Sequence, residues 1–163
     1  MKQKNGSDER QYWVWIASPE HYLDELGNDR DDLDPESGYD PPGWWTCHKD
    51  TREGDLILLY RSRIKKDFGY LMQAASKAYS LADNKYAALK NWDYGCDYRV
   101  LRKFKNPVTL QEVRANFHLH DWVAYTTNFR RRVYSITPKH WKRLNQMASS
   151  KNRGFATYLA QVE

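Results

Sequence analysis

Five consecutive apolar residues, Leu56-Ile57-Leu58-Leu59-Tyr60, lie between a turn-forming stretch, Arg52-Glu53-Gly54-Asp55, and the charged Arg61. The run is too short for an ordinary buried helix and shows no polar alternation, so it predicts a buried central strand. Such a strand needs neighbours, and the sequence supplies them. Tyr12–Ala17 is dense in aromatic and β-branched residues, Phe68–Tyr79 begins Phe-Gly-Tyr-Leu and then alternates through Ala74, Ser76 and Ala78, and Tyr98–Phe104 and Arg132–Ile136 read as further strands.

Helix signals are fewer. Ser18-Pro19 predicts a capped start for a short helix running to about Leu26 and ended by Gly27. Thr109-Leu110-Gln111-Glu112 is a capping box, in which the Thr and Glu side chains satisfy each other's open backbone donors. Thr137-Pro138 opens a helix that places Trp141, Leu144 and Met147 on one face, and the last residues after Gly154 are expected to fray or add a strand. Asn28 to Pro42 carries five aspartates, three prolines and no apolar periodicity, which predicts a long acidic loop. Short strands joined mostly by turns predict an α+β fold: a mixed, strongly curved sheet or open β-barrel with helices packed around it. A parallel doubly wound sheet is disfavoured, because it needs a helix between nearly every pair of strands.

With 163 residues the chain fits one domain, expected over 11–150, with a disordered lead-in over 1–10 and an extension over 151–163. No apolar run reaches the roughly 20 residues of a membrane-spanning helix. Met1–Arg10 lacks the apolar stretch of a secretory signal, and two cysteines, Cys47 and Cys96, are too few for a disulfide scaffold, so a cytoplasmic location with free thiols is expected. Cys47-His48 and His118-x-His120 fall short of the fourfold ligand set that zinc requires, so no metal and no cofactor is expected.

Aromatic and basic residues dominate what remains. The chain holds 7 Trp, 12 Tyr and 5 Phe. Its first 50 residues carry 5 Lys and Arg against 12 Asp and Glu, a net of −7, whereas residues 51–163 carry 21 against 9, a net of +12. Flat rings stack on nucleobases and cations neutralise phosphates, so the pair of classes points to a nucleic-acid partner and away from a membrane. The basic runs Arg61-Ser62-Arg63-Ile64-Lys65-Lys66 and Arg130-Arg131-Arg132 supply the candidate phosphate contacts Arg61, Arg63, Lys65, Lys66, Arg130 and Arg131.

The order of motifs resembles the EVE domain, a member of the PUA-like barrel superfamily that also contains YTH and ASCH domains. The likeness rests on Tyr12-Trp13-Val14-Trp15 leading to Pro19 and Tyr22, Trp44-Trp45, Gly54-Asp55-Leu56 running into Leu59-Tyr60-Arg61-Ser62, and Phe68-Gly69-Tyr70. It continues through Arg102-Lys103-Phe104-x-x-Pro107-Val108-Thr109-Leu110 and Ser135-Ile136-Thr137-Pro138 with Trp141. The resemblance implies a base-reading pocket at one end of the barrel, taking a methylated or hydroxymethylated base of DNA or RNA, in some relatives on behalf of a restriction or modification enzyme. Trp45 is the first candidate for a pocket wall, with Trp44 as its packing partner. Trp15, Ser18, Thr46, Tyr60, Tyr98 and Phe129 are the further pocket candidates. Where relatives carry Lys-Ser-Glu-Pro this chain has Ile16-Ala17-Ser18-Pro19, and where they carry Val-Arg-Asn it has Thr46-Cys47-His48.

Two rival functions follow from the same sequence. One superfamily branch resembles amidohydrolases that act on modified nucleosides through Lys, Thr and Glu; here Glu112 is spoken for by its capping box, and no catalytic residues are assigned. The other is a protein-interaction module with the aromatics as a hot-spot surface, which the basic runs argue against.

Overall fold

Leu56–Tyr60 lies near the middle of the sheet, as its composition demands. The computed structural model describes residues 9–38 and 43–163; residues 1–8 of the lead-in expected over 1–10 and the loop end over 39–42 fall outside them. The strands are β1 (Tyr12–Ala17), β2 (Gly43–Thr46), β3 (Leu56–Arg61), β4 (Asp67–Ala74), β5 (Tyr79–Ser80), β6 (Tyr94–Thr109) and β7 (Val133–Ser135). They form one mixed sheet in the order β2-β6-β4-β3-β1-β7, with β5 also on β6. The β1–β3 pair is parallel and the others are antiparallel. Register shifts between Leu59 and Tyr60, Phe68 and Tyr70, and Leu71 and Met72 add local twist, and the sheet curls into a half-barrel. This is the α+β PUA-like fold.

The helices are α1 (Pro19–Tyr22), α2 (Lys85–Lys90), α3 (Leu110–Ala115), α4 (Val123–Thr126), α5 (Pro138–Lys151) and α6 (Phe155–Val162). In α3 the Thr109–Glu112 capping box forms as expected. Thr137 caps α5 by accepting from the His140 backbone N–H, and α5 buries Trp141, Leu144 and Ala148 against the sheet. The C-terminal segment neither frays nor adds a strand: α6 buries Phe155 and Leu159, and the Phe155 ring meets Phe104 edge-on at 4.9 Å. Arg10, placed in the lead-in by sequence, donates to the Val162 carbonyl at 2.6 Å.

Period-2 alternation divides the core into two. Val14, Leu58, Tyr60, Phe68 and Leu71 face α3–α6, while Trp13, Trp15, Ala17, Ile57, Leu59, Tyr70 and Met72 face the inside of the curl. Short pieces from the acidic segment close that inner face. The expected helix to Leu26 stops at Tyr22, because the Asp24 carboxylate accepts from the backbone N–H of Leu26 and Asn28, each at 2.9 Å, and so holds a turn in place of further helix. Gly27 supplies the left-handed residue of that turn. Within the acidic segment two 3₁₀ turns, Asp31–Leu33 and Pro35–Ser37, follow, and the first buries Leu33 in the inner core. His118 and His120 lie on and just after a 3₁₀ turn, not on a strand.

Candidate base-binding cavity

The mouth of the curl holds an aromatic cavity of about 90 Å³. Trp15 and Ala17 of β1, two residues apart, point into it together, and the register Trp15↔Leu59 adds Leu59 from β3. Met72 comes from β4 and Tyr98 from β6. Trp44 and Trp45 come from β2, and His21, Arg30 and Leu33 from α1 and the acidic segment complete the wall. Gly43 is required beside it: a Cβ there would lie 2.7 Å from the Tyr98 ring, which crosses over β2.

The rings are held at angles to one another. Trp15 meets Tyr98 edge-on at 5.7 Å, and His21 meets Trp45 edge-on at 4.5 Å. Behind Trp45 stands Trp92, 5.1 Å away, with Tyr86 of α2 against it at 5.5 Å. Trp44 is 37% exposed and Trp45 half-buried, so the cavity reaches solvent beside them. The indole N–H groups of Trp15 and Trp45 and the Nδ1 of His21 are buried with no hydrogen-bond partner among the described residues. A buried donor left unmatched costs roughly 1–3 kcal/mol, so two indole donors and an open imidazole nitrogen around one small cavity mark a place where a ligand's polar edge is wanted. Rings at mixed angles, donors at the edges and one open side suit a planar heterocycle that carries carbonyl or ring-nitrogen acceptors.

His21 is held below its ordinary value, first by burial and then by the Lys90 and Arg30 charges, which together outweigh the Glu20 carboxylate. Its Nε2 shares a hydrogen bond with the Tyr86 hydroxyl at 3.2 Å. The unfolded chain therefore binds a proton on His21 more readily than the folded one, and stability rises with pH across that window. The contribution is complete above the unfolded value of 6.5 and falls away as pH drops through it towards the lower folded value. Urea midpoints measured from pH 8 to pH 5 are expected to fall less steeply in His21→Asn than in the parent; parallel curves would show that His21 does not titrate this way.

Of the sequence candidates, Trp15, Trp45 and Tyr98 meet around the cavity. Tyr60 and Phe129 do not. Tyr60 follows Leu59 by one residue and so points to the opposite face, where it stacks on Phe129 at 4.5 Å within the helix-covered core. Thr46 is buried next to Trp45 and likewise turned away from the cavity, while Ser18 sits at the N-cap position of α1 outside the lining, its side chain making no capping bond. Trp44, expected to pack, lines the opening instead. Sequence reasoning passed over His21, Arg30, Leu33, Met72 and the supporting Trp92; an unaccompanied tryptophan in the polar stretch after Lys90 was the available signal for the last.

Arg61 is the clearest correction among the cations. It is 5% exposed and gives two hydrogen bonds to Asp67, at 2.6 and 2.8 Å, with Asp29 at 3.3 Å, so its charge is consumed inside the fold. Arg63, Lys65, Lys66, Arg130 and Arg131 are exposed. The two runs that carry them meet the end of β1 from either side: the Ser62 N–H donates to the Ala17 carbonyl at 2.9 Å, and the Ile16 N–H donates to the Arg132 carbonyl at 2.8 Å.

One arrangement elsewhere has the form of a proton relay. His140 bridges the Asp121 carboxylate at 2.8 Å and the Thr137 hydroxyl at 2.9 Å. Its hydroxyl is occupied in capping α5, and none of the three residues lines the aromatic cavity. Asp121 is held down to about 2 by its bonds from His140 and Lys139. Glu112 is engaged by its capping box and by Lys151.

Comparison with known proteins gives the family. The EVE domain model matches residues 11–147. Among solved structures, a Rhodopseudomonas palustris protein is 21% identical with a TM-score of 0.67, covering 86% of this chain and 94% of its own. A hypothetical protein from Leishmania major is 17% identical with a TM-score of 0.66, covering 88% and 98%. Human THYN1, solved in complex with DNA containing 5-methylcytosine, is 15% identical with a TM-score of 0.62, covering 85% and 97%. Among curated proteins no sequence matches this one. No helix among the described residues is long and apolar enough to cross a membrane.

Proposed function

This chain belongs to the EVE domain family, and we propose that it is a nucleic-acid reader that receives a single modified base, methylated or hydroxymethylated, in the cavity between Trp15, Trp45 and Tyr98. The observation that carries the reading is the set of unmatched buried nitrogens around that cavity, the indole donors of Trp15 and Trp45 and the Nδ1 of His21. A base drawn out of its stack loses stacking and pairing worth a few kcal/mol, and aromatic walls with edge donors replace both. The exposed cations of the two runs beside β1 are candidates to hold the flanking phosphates, which sets affinity more than base choice. The complex of human THYN1, a protein of the same fold, with 5-methylcytosine DNA supports the reading. Binding is preferred to catalysis in this reading because Glu112 is engaged by its capping box and Lys151, and Asp121, His140 and Thr137 lie outside the cavity lining.

The test is a panel of DNA and RNA oligonucleotides carrying plain, methylated and hydroxymethylated bases. At least one modified oligonucleotide is expected to bind more tightly than its plain counterpart. Trp45→Ala should remove about 1–3 kcal/mol of that preference, the range for loss of one stacking wall. Equal affinity across the panel, unmoved by Trp45→Ala, rules the reading out. Release of ammonia or free base from a modified nucleoside would point to the hydrolase.

A further inference from the structure

A second and larger concavity, about 910 Å³, lies on the other side of the acidic segment. One wall is residues 101–107 of β6, the other the junction of α5 and α6 at 151–158, and besides the internally paired Arg61 its cations are Lys65, Arg102, Lys103, Lys105, Lys151 and Arg153. The walls are stapled together. Asn106 donates from its backbone to the Asn152 side chain at 3.0 Å, Asn152 donates back to the Asn106 carbonyl at 2.9 Å, and Lys151 reaches the Pro107 carbonyl at 2.6 Å. The groove is thus a fixed feature of the fold and needs no ordering on binding.

Its cations are not all consumed internally. Lys103 pairs with Asp29 at 3.0 Å and Lys151 with Glu112. The side chains of Arg102, Lys105 and Arg153 form no ion pair or hydrogen bond among the described residues. Arg102 is the informative one: its guanidinium lies 4.0 Å over the Tyr158 ring, which fixes its plane, yet its Nε is buried without a partner. A stacked arginine with unmatched donors is prepared for an oxyanion, and the exposed Lys105 and Arg153 add charge along the same groove.

The groove and the aromatic cavity share a wall. Arg30 and Leu33 line the cavity, while Asp29 and Asp34, the next residue in each direction, line the groove. Burial opposes ionisation of Asp29, but the hydrogen bond from Lys103 and the charge of Arg61 prevail and hold its carboxyl below the usual range, so Asp29 is paired internally, while Asp34 and Glu36 leave acidic groups on that wall only. We propose that the groove is the track for the phosphodiester backbone of the strand whose base enters the cavity. The nature of the occupant rests on the reader function above; the position of the track rests on the groove alone.

Lys105→Ala/Arg153→Ala tests it, since both side chains are exposed and their loss spares the core. Binding to single-stranded oligonucleotides with cytosine or 5-methylcytosine is measured between 50 and 200 mM salt. The double variant is expected to weaken both oligonucleotides by the same factor and to flatten the salt dependence by about 1.4 in log–log slope, the value for two lost phosphate contacts on a single strand. Lys139→Ala/Lys142→Ala, on the N-terminal half of α5, should leave slope and affinity unchanged. An unchanged slope in the groove variant overturns the track while leaving the reader function standing. So does a loss confined to the methylated oligonucleotide, which would make the groove part of the base site. A flattened slope in a protein that shows no preference for any modified base leaves the track and removes the reader, and failure to bind any oligonucleotide removes both.

Discussion

Arg61→Ala is expected to lower the stability of this protein by about 3–5 kcal/mol, the range for removing one member of a buried ion pair and leaving its partner unmatched. The guanidinium is enclosed by Asp67 and Asp29 and lies 5.6 Å from the centre of the Tyr70 ring, with its side chain 7% exposed. Truncation strands the Asp67 carboxylate, its side chain 11% exposed, in the interior. It also frees Asp29, which anchors the wall between cavity and groove. Urea unfolding of the variant gives the value, and a loss below about 1 kcal/mol would mean that solvent screens the cluster as it does a surface pair. Gly69→Ala provides an independent probe of the same contact. A Cβ at Gly69 would stand 2.5 Å from the Arg61 Nε, so the variant must displace the guanidinium and lose part of the same stability. The Phe68-Gly69-Tyr70 glycine is therefore there for an arginine side chain.

Asp55→Ala is expected to cost about 3 kcal/mol, with loss of the native environment of Trp13. Asp55 is 1% exposed and accepts from the backbone N–H of Gln11 at 3.0 Å and of Arg52 at 2.9 Å, and from the indole of Trp13 at 2.9 Å. Its carboxylate closes the turn before β3 and ties that turn to the start of β1, so its removal leaves these three donors unmatched at once and takes one of two acceptors from the Gln11 side-chain amide. Asp55→Asn distinguishes the role of the second oxygen. One amide oxygen can serve the Trp13 and Arg52 donors, but the NH₂ then faces the Gln11 N–H, and a smaller loss than in Asp55→Ala is expected. Equal stability of Asp55→Asn and the parent, by urea midpoint and tryptophan emission, would contradict this account.

Much of the site was legible because local rules govern it. Trp15 and Ala17 share a face of β1 whatever else happens, since residues two apart on a strand always do. The capping box at Thr109 and the cap at Thr137 depend only on neighbours three residues away, and both form. The misreadings arose where distant residues compete. Tyr60 and Phe129 were plausible as pocket walls until the register Trp15↔Leu59 turned Tyr60 to the other face. Arg61 looked like a strand-end cation until the β3–β4 hairpin brought Asp67 across from it. His21 and Trp92 stand 71 positions apart in the chain, and their approach to Trp45 follows from the pairing of β2 with β6 and from the placing of α1.

From the order of its residues alone, the chain had to build a mixed sheet, to bury Leu56–Tyr60 near its centre and to carry aromatics and cations in excess of what a core needs, whereas the 16-residue length of β6, against the Tyr98–Phe104 expected, came from its pairing with β2, β4 and β5. Strand period, capping chemistry and composition act within a few residues and are written directly in the order of side chains. Which rings meet around one cavity, which arginine is buried and which remain for phosphate, and the presence of a stapled basic groove were decided by the curl of the sheet. Those outcomes depend on register and on the packing of segments tens of residues apart, where a shift of one position reverses the direction of every side chain.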